Sequence, residues 1–146
     1  MEKHEILEIL ETLVDETRTA ILASVDGDGR PHMRWMMPAL LRGRTGAIYT
    51  VSSPDTPKIH DLEARPQVEW MITSRSLDRV VTVRGRAQVV DSPTIKREVL
   101  EAVGRRLAAF WKYNDDPTRL VVIETIAETA CCYQPMKAAY HWVELG

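Results

Sequence analysis

Apolar residues near the start of the chain recur three or four apart. Ile6, Leu10, Leu13 and Val14 form one stripe while most of the glutamates fall elsewhere, which predicts an amphipathic helix over residues 2–18. From residue 19 the pattern changes to short β-rich segments. Strands are predicted at 19–25 and 31–41, joined by Asp26-Gly27-Asp28-Gly29, where two glycines suit a hairpin turn. The turn at 42–46 leads to a third strand at 47–51. A helix follows at about 58–64, with Thr56 suited to its N-cap and Pro57 to its first position. Strands at 67–73 and 79–90 come next. Ser92 and Pro93 then open a helix carrying Ile95, Val99, Val103, Leu107 and Phe110 at helical spacing. A loop at 112–118, a strand at 120–126 and a hairpin partner at 129–133 complete the pattern, and the tail from 134 to 146 shows no clear period.

Six or seven short strands in sequential hairpins favour antiparallel pairing. With so few helices, the sheet must close into a barrel or fold into a sandwich to hide its edges. A barrel is preferred, because the long strand at 79–90 is able to pair with two neighbours. The expected fold class is mainly β with flanking helices. The absence of a linker or repeat predicts one domain over residues 1–146.

Composition narrows the function classes. Nineteen basic against 21 acidic side chains give a net charge of −2, which is no footprint for nucleic acid or an anionic membrane. No apolar run approaches the ~20 residues of a membrane span, and the N-terminus lacks the basic and apolar regions of a signal peptide. A cytoplasmic protein is expected. Adjacent Cys131 and Cys132 read as two small apolar strand residues and not as a disulfide framework, and the four histidines are scattered, so no metal site is predicted.

The most informative segment is Tyr49-Thr50-Val51-Ser52-Ser53-Pro54-Asp55-Thr56-Pro57-Lys58. A strand runs into a hydroxyl-rich loop that opens a helix with a lysine in its first turn. A phosphate needs donors, a compact cation and a favourable dipole. The hydroxyls of Thr50, Ser52, Ser53 and Thr56, the Lys58 ammonium and the helix N-terminus offer all three. Pro57, which has no N–H, and the negative Asp55 oppose this reading, and an ordinary capped helix with a surface lysine is the alternative. The strand Pro31-His32-Met33-Arg34-Trp35-Met36-Met37-Pro38 adds a second cation. Alternation places His32, Arg34 and Met36 on one face. An arginine there is costly to bury without an anionic partner, which is either a phosphate shared with Lys58 or a protein carboxylate.

Gly27-Asp28-Gly29-Arg30-Pro31-His32, Arg34-Trp35-Met36, Tyr49-Thr50 with Lys58, and Val83-Arg84-Gly85-Arg86-Ala87 with Asp91 occur in an order that resembles the flavin-binding split barrels. These are the pyridoxamine 5′-phosphate oxidase-like proteins, with the general-stress-protein branch nearest. Asp115-Asp116-Pro117 fits the same order. The resemblance implies an antiparallel six- or seven-stranded split β-barrel that binds FMN as a homodimer, with cofactors in clefts between subunits. It implies that Arg34, Trp35 and Met36 line the isoalloxazine and reach the phosphate. Tyr49 and Thr50 would follow the ribityl chain, Ser53, Thr56 and Lys58 would hold the phosphate, and Trp111 of the partner would flank the flavin. Related barrels hold F420 or haem in place of FMN. The implied activity is that of an oxidoreductase of unknown substrate, with a non-catalytic flavin-binding or stress-response protein as the alternative, and no catalytic residue is named. The chain departs from the true oxidase: it lacks the adjacent Arg-Lys pair and the C-terminal arginine and tryptophan that recognise pyridoxamine phosphate. Trp35 stands where the stress-protein branch often has proline.

Overall fold

The computed structural model describes residues 1–104 and 119–146. Leu107, Phe110, Trp111, the loop at 112–118 and its segment 115–117 lie outside the described residues. Helix α1 spans Lys3–Thr17 and buries the predicted stripe of Ile6, Leu10, Leu13 and Val14. Strands β1 (Ala20–Val25), β2 (Pro31–Met36) and β3 (Ala47–Ser52) precede helix α2 (Pro57–Ala64). Strands β4 (Gln67–Thr73) and β5 (Val80–Val90) follow, then helix α3 (Pro93–Val103), β6 (Val121–Gln134) and β7 (Ala139–Glu144). The Ser92 hydroxyl accepts from the Ile95 N–H and caps α3 as its sequence predicts.

All strand pairs are antiparallel, in the order β2-β1-β4-β5-β6-β3, with β7 added to β6. The predicted strand at 31–41 ends instead at Met36. Pro38 has no N–H for a ladder and constrains Met37 before it. Beyond the proline the chain regains the sheet at Ala39, which exchanges two hydrogen bonds with Tyr49 of β3, 2.7 and 2.9 Å long. This bridge brings the two ends of the strand order together, and the sheet is a seven-stranded split barrel. One core cluster, centred on Trp70, Leu22, Ile72, Val81, Val83 and Ile123, fills the barrel beneath α1 and α2. A second lies between β3 and α3, around Tyr49, Val51, Val99, Val103 and Val122. Among the described residues no helix is long and apolar enough to cross a membrane.

The hairpin expected within 120–133 is one continuous strand of 14 residues. Its first part, Val121 to Ile126, pairs with β3, and its second, Thr129 to Gln134, pairs with β7. Opposite, β5 runs along nearly the whole strand with one irregularity: Gly85 faces Ala127 and Arg84 faces Thr129, leaving Glu128 as an extra residue in β6. This is a β-bulge. Two of its backbone groups find partners outside the β5–β6 ladder: the Ala127 N–H donates to the Gly46 carbonyl and the Glu128 carbonyl accepts from the Leu145 N–H, both at 2.8 Å. The bulge is where β6 changes partner. The tail left unassigned by its sequence becomes a 3₁₀ turn at Pro135–Lys137 and strand β7.

Candidate functional site

Where β2 and β3 approach the start of α2, they enclose a cleft of about 390 Å³. Arg34, Trp35, Met36 and Met37 line one side, and Thr50, Val51, Ser52, Ser53, Thr56 and Lys58 the other. The volume lies within the range of ~300–1,000 Å³ usual for small-molecule sites. Apolar side chains and a concentrated set of hydroxyls and cations therefore share one hollow.

Arg34 reaches this position because alternation points it inward. It sits opposite Leu22 of β1, a fully buried residue, and is itself half-buried, so the guanidinium lies at the mouth of the barrel. Its Nη1 donates to the Leu22 carbonyl at 3.1 Å and to the Ser24 hydroxyl at 2.8 Å. Lys58 arrives from the first turn of α2. Its Nζ donates to Ser52 Oγ at 2.5 Å and to Thr56 Oγ1 at 3.0 Å. The Thr56 hydroxyl makes no cap bond to the helix and instead holds the lysine and donates to the Ser53 carbonyl at 3.2 Å. Thr50, itself buried, donates to the Met37 carbonyl at 2.8 Å and ties the two walls together.

The electrostatics favour an anion. Burial lowers the Lys58 ammonium below its ordinary value, and the charge of Arg34 pushes it further the same way. Burial lowers Arg34 as well, with Asp61 opposing. Arginine stays protonated at ordinary pH, so the repulsion between the two is felt at Lys58. Neither cation forms an ion pair with a described residue. Asp55, whose charge counts against an anion site in the sequence, is bonded at 2.8 Å to Arg119 and so is paired elsewhere.

Of the predicted site residues, Arg34, Trp35, Met36, Thr50, Ser53, Thr56 and Lys58 are brought together here. Tyr49 is not. It lies in the second core cluster, where its phenol donates to Glu124 Oε2 at 2.7 Å. Burial first, and that carboxylate second, push the phenol up to about 12. Trp111 lies outside the described residues. Met37 and Val51 join the lining without having been singled out. Ser52, seen in the sequence only as a possible donor, is the lysine's shortest contact. Its position at the last residue of β3 was the available signal.

The sequence profile of pyridoxamine 5′-phosphate oxidase matches residues 4–130. A pyridoxine/pyridoxamine 5′-phosphate oxidase of Pseudomonas putida (strain W619) is 35% identical over 75 residues, 51% of this chain. That stretch spans only 34% of the relative's own length. Among solved structures, a protein from Clostridium acetobutylicum related to general stress protein 26 of B. subtilis matches with a TM-score of 0.78. It is 11% identical, covering 98% of this chain and 96% of that one. A pyridoxamine 5′-phosphate oxidase-related, FMN binding protein from Nostoc punctiforme PCC 73102 matches at 0.66 and 11%, over 99% and 96% of the two chains. A heme binding protein from Mycobacterium smegmatis matches at 0.71 and 18%, over 91% and 55%. At these identities the three structures show a shared fold, and it is the profile match, running through every lining residue of the cleft, that gives the relationship: the chain belongs to the pyridoxamine 5′-phosphate oxidase family.

Proposed function

We propose that the cleft holds FMN by its phosphate and that the protein is an FMN-dependent oxidoreductase, with residues 1–146 forming one domain. The observation that carries this reading is the convergence of Arg34 and Lys58 on one hollow with no carboxylate of the described residues bonded to either. Two cations held together in a half-buried site repel one another, and a phosphate dianion relieves that repulsion. The hydroxyls of Ser53 and Thr56 supply further polar contacts, while Trp35, Met36, Met37 and Val51 offer an apolar wall to a planar ring. The donor set therefore fits a flavin with an esterified tail. When bound, FMN supplies the electron transfer, and the protein supplies position and field. Arg34 and Lys58 bind the tail, Thr50 fixes the spacing of the walls, and the apolar residues exclude water from the ring.

The test is an absorbance spectrum of the purified protein followed by titration with FMN and with riboflavin, which lacks the phosphate. Flavin bands are expected, with riboflavin bound at least tenfold more weakly, since charge-assisted hydrogen bonds contribute about 1.5–3 kcal/mol each. Equal affinity for the two would remove the phosphate from the recognition. A Soret band would assign the cleft to haem, and uptake of F420 alone would assign it to a deazaflavin. Turnover with NADH or NADPH separates an enzyme from a flavin store: a loaded protein that neither cofactor reduces is a binding protein.

The same reading includes a homodimer. Strand register sets Trp35, Ile21, Met71, Thr82, Cys131 and Trp142 in one row across six strands on the outer face of the sheet. Trp35 is 67% exposed, Trp142 52% and Met71 38%. Large apolar side chains aligned in this way favour burial against another surface, and Trp35 also lines the cleft, so a second copy seated on the row walls off the site. Sedimentation at micromolar concentration is expected to give a dimer, and Met71→Glu a monomer that retains its fold. A wild-type monomer would remove the partner from the site.

A further inference from the structure

Arg34 is useful to an anion only if its guanidinium is held toward the cleft without being neutralised. The structure shows one side chain placed to do both. Ser24 lies on the inner face of β1, two residues beyond Leu22, and is 2% exposed. Its hydroxyl oxygen accepts from Arg34 Nη1 at 2.8 Å, while the Leu22 carbonyl accepts from the same nitrogen at 3.1 Å. Both bonds that Arg34 makes to described residues leave from Nη1, so Nε and Nη2 keep their hydrogens for a ligand. We propose that Ser24 is the positioning residue of the anion site, orienting Arg34 through a neutral acceptor that leaves its charge available.

The residue type follows from the chemistry. Alanine would leave the guanidinium on one carbonyl and free to swing. An aspartate would hold it firmly but pair with it, and a paired arginine has little attraction left for a phosphate. A hydroxyl is the acceptor that fixes geometry at no cost in charge. Arginine carries a planar, forked set of donors, so anchoring one nitrogen fixes the direction of the other two. Ser24 touches no ligand itself and acts through Arg34.

This inference rests on the FMN reading for its ligand, and the experiment keeps the two apart. FMN affinity is measured by quenching of flavin fluorescence in wild type, Ser24→Ala, Ser24→Thr and Ser24→Asp. Ser24→Ala is expected to bind roughly 5- to 20-fold more weakly, less than removal of a direct charge-assisted contact to the ligand would cost, because the guanidinium is misdirected and not removed; Ser24→Thr restores affinity, and Ser24→Asp binds worse than Ser24→Ala. In an Arg34→Ala background Ser24→Ala is expected to have no further effect. An equal loss with and without Arg34, or no loss at all, overturns the proposal. A ligand-free readout stands beside it: the Nε–Hε and Nη–H signals of Arg34 in NMR are expected to show hindered rotation in wild type and averaging in Ser24→Ala. Hindrance unchanged by Ser24→Ala overturns the positioning role whatever the flavin result. Wild type that takes up no FMN but shows the Ser24-dependent hindrance overturns the choice of ligand alone.

Discussion

A methyl group added at Gly85 is expected to destabilise the protein by about 3 kcal/mol, the upper part of the range for overpacking a core. The cause is space and not backbone angle. A Cβ on Gly85 would lie 2.2 Å from the Ile126 carbonyl oxygen, 3.0 Å from its carbon and 3.0 Å from Thr125 Cγ2. None of these atoms is free to retreat. Ile126 is paired with Ala47 on β3 and with Arg86 on β5, and the Thr125 hydroxyl accepts the buried Trp70 indole N–H at 3.0 Å. The measurement is urea unfolding of Gly85→Ala beside wild type, with the m-value as a check that the two states are unchanged. Gly29→Ala is the control. Gly29 has φ +80° and open space around it, so its replacement is expected to cost only about 1–2 kcal/mol of backbone strain. A cost at Gly85 no larger than at Gly29 would mean that the bulge in β6 yields to the added methyl, and that β6 is not fixed at its change of partner.

The same bulge explains what the sequence shows and what it hides. Inward positions in β6 are Ile123, Thr125 and Ala127, then Ala130 and Cys132. The alternation shifts phase by one residue at Glu128. In a linear reading such a shift looks like a turn between two strands, because nothing local distinguishes an extra residue within a ladder from a short connection. The information lies in β5, where Gly85 leaves room for the displaced carbonyl. By contrast, the α1 stripe and the Ser92-Pro93 start of α3 are local patterns and were legible. So was the convergence of Arg34 with Lys58, because each stands at a marked place, one on an inward strand position and one in the first turn of a helix.

Tyr49 shows the opposite limit. Every residue of β3 is buried, since the barrel lies on one face and α3 on the other. A strand covered on both faces loses the alternation that would separate its cleft side from its core side. Adjacent Tyr49 and Thr50 therefore look equivalent in the sequence, yet only Thr50 reaches the cleft. Ser24 was hidden for a related reason: its importance depends on an arginine ten residues away that register alone brings near.

The strongest effect on function is expected at Lys58. Lys58→Ala removes an ammonium held by Ser52 and Thr56, and FMN is expected to bind about 10- to 150-fold more weakly, the equivalent of 1.5–3 kcal/mol. Lys58→Glu is expected to abolish retention, because a carboxylate there would pair with Arg34 and repel the phosphate. Stability is expected to move differently. The ammonium is depressed by burial and by Arg34, so in the ligand-free protein its charge opposes folding at neutral pH. The unfolded chain binds this proton more readily than the folded one, and stability from this group therefore rises with pH as the proton leaves the folded state, until the unfolded lysine also titrates. Lys58→Met keeps the aliphatic stem and removes the charge. The Ser52 hydroxyl still donates to the Ser53 carbonyl at 3.0 Å, so no buried polar group is orphaned. Ligand-free Lys58→Met is expected to melt at or above the wild-type temperature near neutral pH while binding FMN poorly. In wild type, a bound phosphate is expected to favour the charged form of Lys58, so where alkaline pH has deprotonated the free site binding takes up a proton and affinity falls. Calorimetric melting of the ligand-free proteins, with FMN titrations from neutral to alkaline pH, checks both parts. A lysine present for the fold alone would show the reverse: a lower melting temperature for Lys58→Met, and FMN affinity indifferent to pH and to the substitution.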